Sequence, residues 1–114
     1  MLLRKVKKIT VTISLGESES EMIDFSAHSG GIIFIPDAWT AANLGFLVNY
    51  ASNGTYLPLK QPDGTLVEID AVVDSAFSIP VDTFGITYMK LQSQTGGTPV
   101  TQAADRTIVL TIKS

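Results

Sequence analysis

The alternation of apolar and polar residues with a period of two constrains the fold of this chain more than any other feature. In residues 8–15 isoleucine, valine and leucine occupy every second position, and threonine or serine stands between them. Residues 86–93 and 107–113 are two further runs of the kind that favours strands. Because successive side chains of a strand lie on opposite faces of a sheet, these runs predict strands with one buried face. No segment shows the period of an amphipathic helix longer than a turn or two.

Turn signals divide the chain into short strands. Asn53-Gly54 predicts a tight hairpin, with Tyr50 and Tyr56 placed to pair across it, and residues 61–64 predict a second turn. The uninterrupted apolar run at residues 31–35 predicts a strand buried on both faces, and a connector with at most one helical turn follows it. The whole pattern predicts an all-β fold, a single jelly-roll-like antiparallel β-sandwich of about eight to ten short strands whose first and last strands are neighbours.

Size and composition favour one packed domain without covalent crosslinks. The chain has 114 residues, of which 45% are hydrophobic and 17% are charged, and such a chain can bury a core. It has no cysteine, which excludes disulfides and thiolate metal sites. The sequence contains neither an apolar run of about 18 residues nor the ordered regions of a signal peptide. Neither association with a membrane nor secretion is therefore expected.

Basic residues are concentrated at the N-terminus. Arg4, Lys5, Lys7 and Lys8 are four of the eight basic residues, and the remainder carries four basic against eleven acidic residues, a net charge of −7. We therefore predict a basic N-terminal arm at residues 1–8 and a sandwich domain at residues 9–114. The arm is expected to bind an acidic neighbour, either a copy of the chain or another protein, with a solvated tail as the alternative. Because no aromatic residue interleaves the basic cluster of this acidic chain, nucleic acid is not expected as a partner.

Side chains capable of catalysis do not form a recognisable motif. His28 is the only histidine, and the carboxylates of residues 17–24 lack the spacing of a calcium-binding loop. The sequence shows neither a nucleophile elbow nor a phosphate-binding glycine loop. The chain is therefore not expected to be an enzyme or to bind a metal ion or cofactor.

Two residues are predicted to have structural roles. Trp39 is expected to plug one end of the sandwich. Arg106 stands where a loop enters the last strand, and it is expected to hold residues 94–105 in place through paired hydrogen bonds. The aromatic residues have an alternative use as a sugar-binding platform, although core and hairpin packing would explain them equally. The candidates for that platform are Trp39, Tyr50, Tyr56 and Tyr88.

Four segments of the chain resemble a recurrent family of small tailed-bacteriophage virion proteins, which are encoded among head and structural genes. The family pattern is an apolar strand before Pro-x-x-Trp-Thr, a strand ending in Ser-x-Gly, and a later strand before Pro-Val-x-Gln-x-x-x-Arg. The similar segments are residues 31–40 (GIIFIPDAWT), 44–56 (LGFLVNYASNGTY), 79–84 (IPVDTF) and 88–110 (YMKLQSQTGGTPVTQAADRTIVL). The matching residues are Pro36, Trp39, Thr40, Ser52, Gly54, Pro99, Val100, Gln102 and Arg106. The N-terminal arm and the acidic loop are not covered.

The resemblance implies a non-enzymatic structural protein of the phage virion. The role it favours is a capsid cement or decoration protein, which binds the outside of the head and stabilises it. The implied partners are the major capsid protein and copies of the chain itself, as a dimer or trimer. Such a protein is made in the host cytoplasm and ends on the capsid exterior. A head or tail appendage is the second role within this family, and a carbohydrate-binding β-sandwich module is the alternative from a different class.

Overall fold

The computed structural model describes residues 6–28 and 30–113. Their regular structure consists of ten β-strands and one short 3-10 helix at Val81–Gly85. The strands are β1 (Val6–Ile13), β2 (Ile23–Asp24), β3 (Gly31–Phe34), β4 (Asn43–Asn49), β5 (Leu57–Pro58), β6 (Glu68–Ile69), β7 (Ala76–Ser78), β8 (Tyr88–Thr95), β9 (Thr98–Pro99) and β10 (Arg106–Lys113).

The strands form two antiparallel sheets with the nested pairing of a jelly roll. One sheet has the order β1-β10-β3-β7, and the other has the order β2-β8-β4-β5, with β6 added to β4 and β9 added to β8. The nested pairs are β1 with β10, β2 with β8, β3 with β7 and β4 with β5. This arrangement confirms the all-β sandwich that the alternation predicts, including the adjacent first and last strands.

The core lies between the two sheets and is built from the apolar positions of the alternating runs. In the sheet of β1 the fully buried side chains come from alternate residues of β1 and β10 and from Ile33 of β3, and they include Ile13 and Leu110. The facing sheet contributes Phe46 from β4 and Leu91 from β8. All of these side chains belong to one continuous apolar cluster. The period of two therefore sets which residues the sandwich buries.

The apolar run at residues 31–35 forms β3, but the prediction that it is buried on both faces is wrong. Ile33 and Ile35 are buried against the opposite sheet, whereas Ile32 and Phe34 are 42% and 40% exposed. β3 lies between β10 and β7, so its hydrogen bonds are satisfied within the sheet. Nothing among the described residues covers the outer face of that sheet over Ile32 and Phe34, which explains their exposure.

The predicted tight hairpin at Asn53-Gly54 is wrong in detail. β4 ends at Asn49 and β5 begins at Leu57, so seven residues separate the strands rather than two. The Nδ2 group of Asn49 donates to the carbonyl of Asn53 at 2.8 Å, which closes a wider loop. Tyr50 is 93% exposed and does not share the buried face of β4. The turn at residues 61–64 is confirmed, because the amide of Gly64 donates to the carbonyl of Gln61 at 2.9 Å.

The domain boundary at residue 8 also needs correction. β1 begins at Val6, and its eight residues pair with β10 from Val6 opposite Lys113 to Ile13 opposite Arg106. Lys7 and Lys8 are therefore part of the sandwich, since backbone pairing extends beyond the apolar alternation that marks the strand. The other two basic residues of the predicted arm, Arg4 and Lys5, lie outside the described residues.

Candidate functional site

A buried hydrogen-bonded cluster joins three of the residues that carry the family resemblance, Thr40, Gln102 and Arg106, and we call it the Gln102 cluster. Gln102 is 1% exposed. Its Oε1 atom accepts from the amide of Thr40 at 2.9 Å and from Nε of Arg106 at 3.1 Å. Its Nε2 group donates to the carbonyl of Thr40 at 3.2 Å and to Oγ of Ser93 at 2.7 Å. The side chain thus uses all four of its hydrogen-bonding positions.

The backbone of Gln102 extends this cluster to the acidic loop. Its amide donates to the carbonyl of Glu17, and its carbonyl accepts from the amide of Gly16, both at 2.9 Å. The Gln102 cluster therefore fastens three segments that are distant in sequence: the connector before β4, the loop after β1 and the segment before β10. A residue fixed in this way stabilises and positions these loops, and it exposes no group that could act on a substrate.

Arg106 begins β10, directly after the segment that it was predicted to hold, and its two hydrogen bonds go to side-chain oxygens. Its Nε group donates to the Gln102 side chain, and its Nη2 group donates to Oγ1 of Thr40 at 3.2 Å. The neighbouring carboxylate of Asp105 instead accepts from the amide of Leu15 at 2.7 Å. Gln102 was not predicted to be a structural centre. Its position in the Pro-Val-x-Gln-x-x-x-Arg pattern was the feature of the sequence that could have indicated this role.

Trp39 packs against the core from the same connector. It is partly buried against the apolar cluster, and its Nε1 group donates to the carbonyl of Ala42 at 3.1 Å. The connector precedes β4, whereas Tyr50 follows the far end of that seven-residue strand. Trp39 and Tyr50 are therefore separated by roughly 20 Å along the strand. These two rings do not share one sugar-binding platform.

Of the two remaining tyrosines of the proposed platform, Tyr56 lies beside Lys90 and is close enough to Tyr88 to be affected by its charge. The ammonium group of Lys90 is 4.7 Å from the ring centroid of Tyr56 and 3.8 Å from Oε1 of Glu19. Desolvation, with a smaller contribution from Tyr88, raises the pKa of the Tyr56 hydroxyl above its ordinary value. The hydroxyl of Tyr56 donates to the carbonyl of Ser52 at 2.8 Å. Tyr56 is therefore engaged by the protein on its ring and at its hydroxyl.

An open cleft lies at one end of the sandwich, and we call it the Tyr50 cleft. It has a volume of about 650 Å³ and lies between the loop after β4 and the segment that joins the 3-10 helix to β8. Its apolar lining includes Val48, Leu57 and Ile86, and polar side chains such as Asp82 stand among its lining residues. This size and composition suit a small ligand or an inserted side chain. The alternation of apolar and polar residues does not predict this cleft, because its volume depends on the distance between two loops.

The two basic residues of β1 face different surroundings. The positive charge of Lys7 is close enough to help lower the pKa of Asp24 and that of His28. Lys8 is exposed and, by alternation, points to the outer face of its sheet with Thr10. The structure thus brings Lys7 near Asp24 and His28 and leaves Lys8 directed outward.

The remaining titratable groups are not gathered for catalysis or metal binding. Burial, with a smaller contribution from Lys7, lowers the pKa of His28, and its ring meets Phe25 edge-on with 5.6 Å between the ring centroids. Within residues 6–28 and 30–113, no three histidine or carboxylate groups are placed to hold a metal ion. The part of the chain that the structure describes also has no helix long and apolar enough to cross a membrane.

The same fold is present in a protein of phage origin. The crystal structure of the SPBc2 prophage-derived protein YomS matches this chain with a TM-score of 0.62 at 16% sequence identity. The match covers 100% of this chain and 99% of that chain. No family model matches the sequence, and no curated protein matches it significantly. The chain therefore shares, over its whole length, the fold of a prophage-derived protein.

Proposed function

We propose that this chain is a structural protein of a phage virion, and that it acts as a capsid cement protein on the outside of the head. The observation that supports this proposal most is the end-to-end match of its fold to a prophage-derived protein. The resemblance of its central and C-terminal segments to small virion proteins points in the same direction. The major capsid protein and further copies of the chain are the proposed partners.

The physical properties of the molecule suit that role. The nested sheets and the Gln102 cluster make a rigid body in which several loops are fastened by buried hydrogen bonds. A cement protein binds in many copies, so that modest contacts at each site add up to a large stabilisation of the particle. Attachment is proposed to use the basic residues Arg4, Lys5, Lys7 and Lys8. Opposite charges across an interface increase the association rate and help to select the partner.

Mass spectrometry of purified particles tests the proposal. Particles of the phage that encodes the chain should contain it in hundreds of copies, comparable with the major capsid protein. Heads made without the protein should lose DNA at a lower temperature, and adding the purified protein should restore their stability. A few copies per particle would instead favour a head or tail appendage. Absence from the particle would refute the proposal.

A carbohydrate-binding module is the second candidate, and the Tyr50 cleft is the observation that favours it. The cleft combines an apolar lining with polar side chains and an exposed tyrosine at its margin. These groups can pack against and orient a sugar ring. Screening the purified chain against immobilised glycans tests this role. Binding that is lost in Tyr50→Ala but kept in Tyr56→Ala would support it, and no binding to any glycan would refute it.

A further inference from the structure

The first strand leaves one edge of its sheet open. β1 pairs with β10 through all eight residues, but it stands at the end of the sheet order. On its other side the chain closes only the last part of the strand. The amide of Thr12 donates to both carboxylate oxygens of Glu21 at 3.2 and 3.3 Å, and Ile13 forms a bridge with Ser20. No described residue pairs with the outer side of residues 6–11, which we call the open edge.

The hydrogen bond of Thr12 shows which groups the open edge presents. In an antiparallel strand, residues alternate between directing both backbone groups to one neighbour and directing both to the other. Because the amide of Thr12 points away from β10, the backbone groups of Val6, Lys8 and Thr10 point outward as well. These three residues are exposed, Val6 to 63%. They offer three amides and three carbonyls in the spacing that an added strand requires.

The positive charge of the open edge favours an acidic partner strand. Lys7 and Lys8 lie on it, and the sequence places Arg4 and Lys5 directly before it. If two copies paired edge to edge through β1, lysines would lie opposite or close to lysines, and such pairs are destabilising. An extended acidic segment would instead place carboxylates beside these ammonium groups. The opposite edge of the sheet is less suited to an added strand. Its edge strand, β7, has only three residues and is followed two residues later by Pro80, which has no amide hydrogen to donate.

We propose that the open edge, residues 6–11, binds an extended acidic segment of a partner protein on the phage head as an added β-strand. This inference rests on the proposed function, because the partner is sought on the head. Main-chain hydrogen bonds would supply the affinity of such an added strand, and the lysines would supply its preference for acidic sequences. Lysines on a free edge also discourage aggregation through it, so the same residues protect the chain until the partner is present.

Two variants and one matched control test the inference with purified heads that lack the protein. Thr10→Pro removes an outward amide and leaves the hydrogen bonds to β10 intact, so we expect at least about tenfold weaker binding at every salt concentration. Lys8→Glu should weaken binding at least about fivefold at low salt, with a smaller effect at high salt, because salt screens exposed charges. Lys60→Glu makes the same charge change at an exposed residue between β5 and the turn at residues 61–64, outside the sheet of β1, and it should bind like the wild type.

Amide hydrogen exchange of the wild-type protein provides a second test of the inference, and this test needs no variant. The amides of Lys8 and Thr10 should exchange quickly in the free protein and slowly on heads, while those of Lys7 and Ile9 should be protected in both states. If the wild type binds heads but Lys8→Glu binds equally well and the two outward amides stay unprotected, the inference is wrong and the proposed function stands. If the wild type does not bind heads at all, the proposed function fails and the inference fails with it.

Discussion

The Gln102 cluster allows a quantitative comparison between two substitutions of neighbouring residues. In Arg106→Ala, Oε1 of Gln102 keeps the amide of Thr40 as a donor, and Oγ1 of Thr40 keeps the amide of Ala103 at 3.1 Å. No buried acceptor of the cluster is therefore left without a partner. The loss is limited to two hydrogen bonds from a charged group that is partly exposed. We expect a cost of about 1–1.5 kcal/mol in the free energy of unfolding.

The substitution Gln102→Ala has larger consequences. The amide and the carbonyl of Thr40 both lose their partners, and the hydroxyl of Ser93, which is fully buried, loses its donor. Each buried polar group left unsatisfied costs about 1–3 kcal/mol, and the cavity left by the side chain adds roughly 1 kcal/mol. Allowing for water that enters to replace some of these bonds, we expect a total of about 3–5 kcal/mol. That corresponds to a fall of roughly 12–20 °C in Tm for a domain of this size.

Urea denaturation followed by circular dichroism measures both costs, with Gln61→Ala as the control. Gln61 is an exposed glutamine in a turn, and its substitution should change the free energy of unfolding by less than about 0.5 kcal/mol. The double variant should lose less free energy of unfolding than the two single variants lose together, because the hydrogen bond from Arg106 to Oε1 of Gln102 is counted in both. If Arg106→Ala costs as much as Gln102→Ala, the buried amide is not the centre of the cluster and the reasoning is wrong.

Three further predictions concern other parts of the molecule. Gly31→Ala should cost at least about 3 kcal/mol in a denaturant titration, because its Cβ would stand 2.0 Å from the carbonyl oxygen of Thr111; Gly85→Ala, where a Cβ meets nothing within 4 Å, should be close to neutral. Hydrogen bonds from the Ser26 hydroxyl and then its amide lower the pKa of Asp24 below its ordinary value of 3.8. The ionised carboxylate therefore stabilises the fold above that pH, and the stabilisation is lost as the pH falls through the lowered pKa. Ser26→Ala should raise the pKa of Asp24 in an NMR titration, and an unchanged pKa would contradict the assigned cause. Deleting residues 1–5 should leave Tm within about 2 °C, since all eight pairs of β1 with β10 remain; a larger loss in calorimetry would mean that the deleted residues belong to the fold.

The sequence by itself determined which residues of β1 and β10 lie inside the sandwich. The alternation in β1 and the apolar positions of β10 predict the buried residues, because the side-chain period of a strand is local and depends on no partner. The turn at residues 61–64 was equally predictable, since glycine and proline specify turns through their own backbone angles. The resemblance to virion proteins also marked Thr40, Gln102 and Arg106, although it gave no reason for their grouping.

Only the tertiary structure decided how these strands and loops meet. Thr40 and Gln102 are 62 residues apart, and their contact exists because nested strand pairing brings the connector and the last loop to the same end of the sandwich. The exposure of Ile32 and Phe34 follows from the position of β3 in a sheet whose outer face no described residue covers, and not from their apolar character. The Tyr50 cleft and the open edge of β1 have the same origin. Local periodicity fixes which way a side chain points, whereas the neighbour it meets depends on contacts between distant parts of the chain.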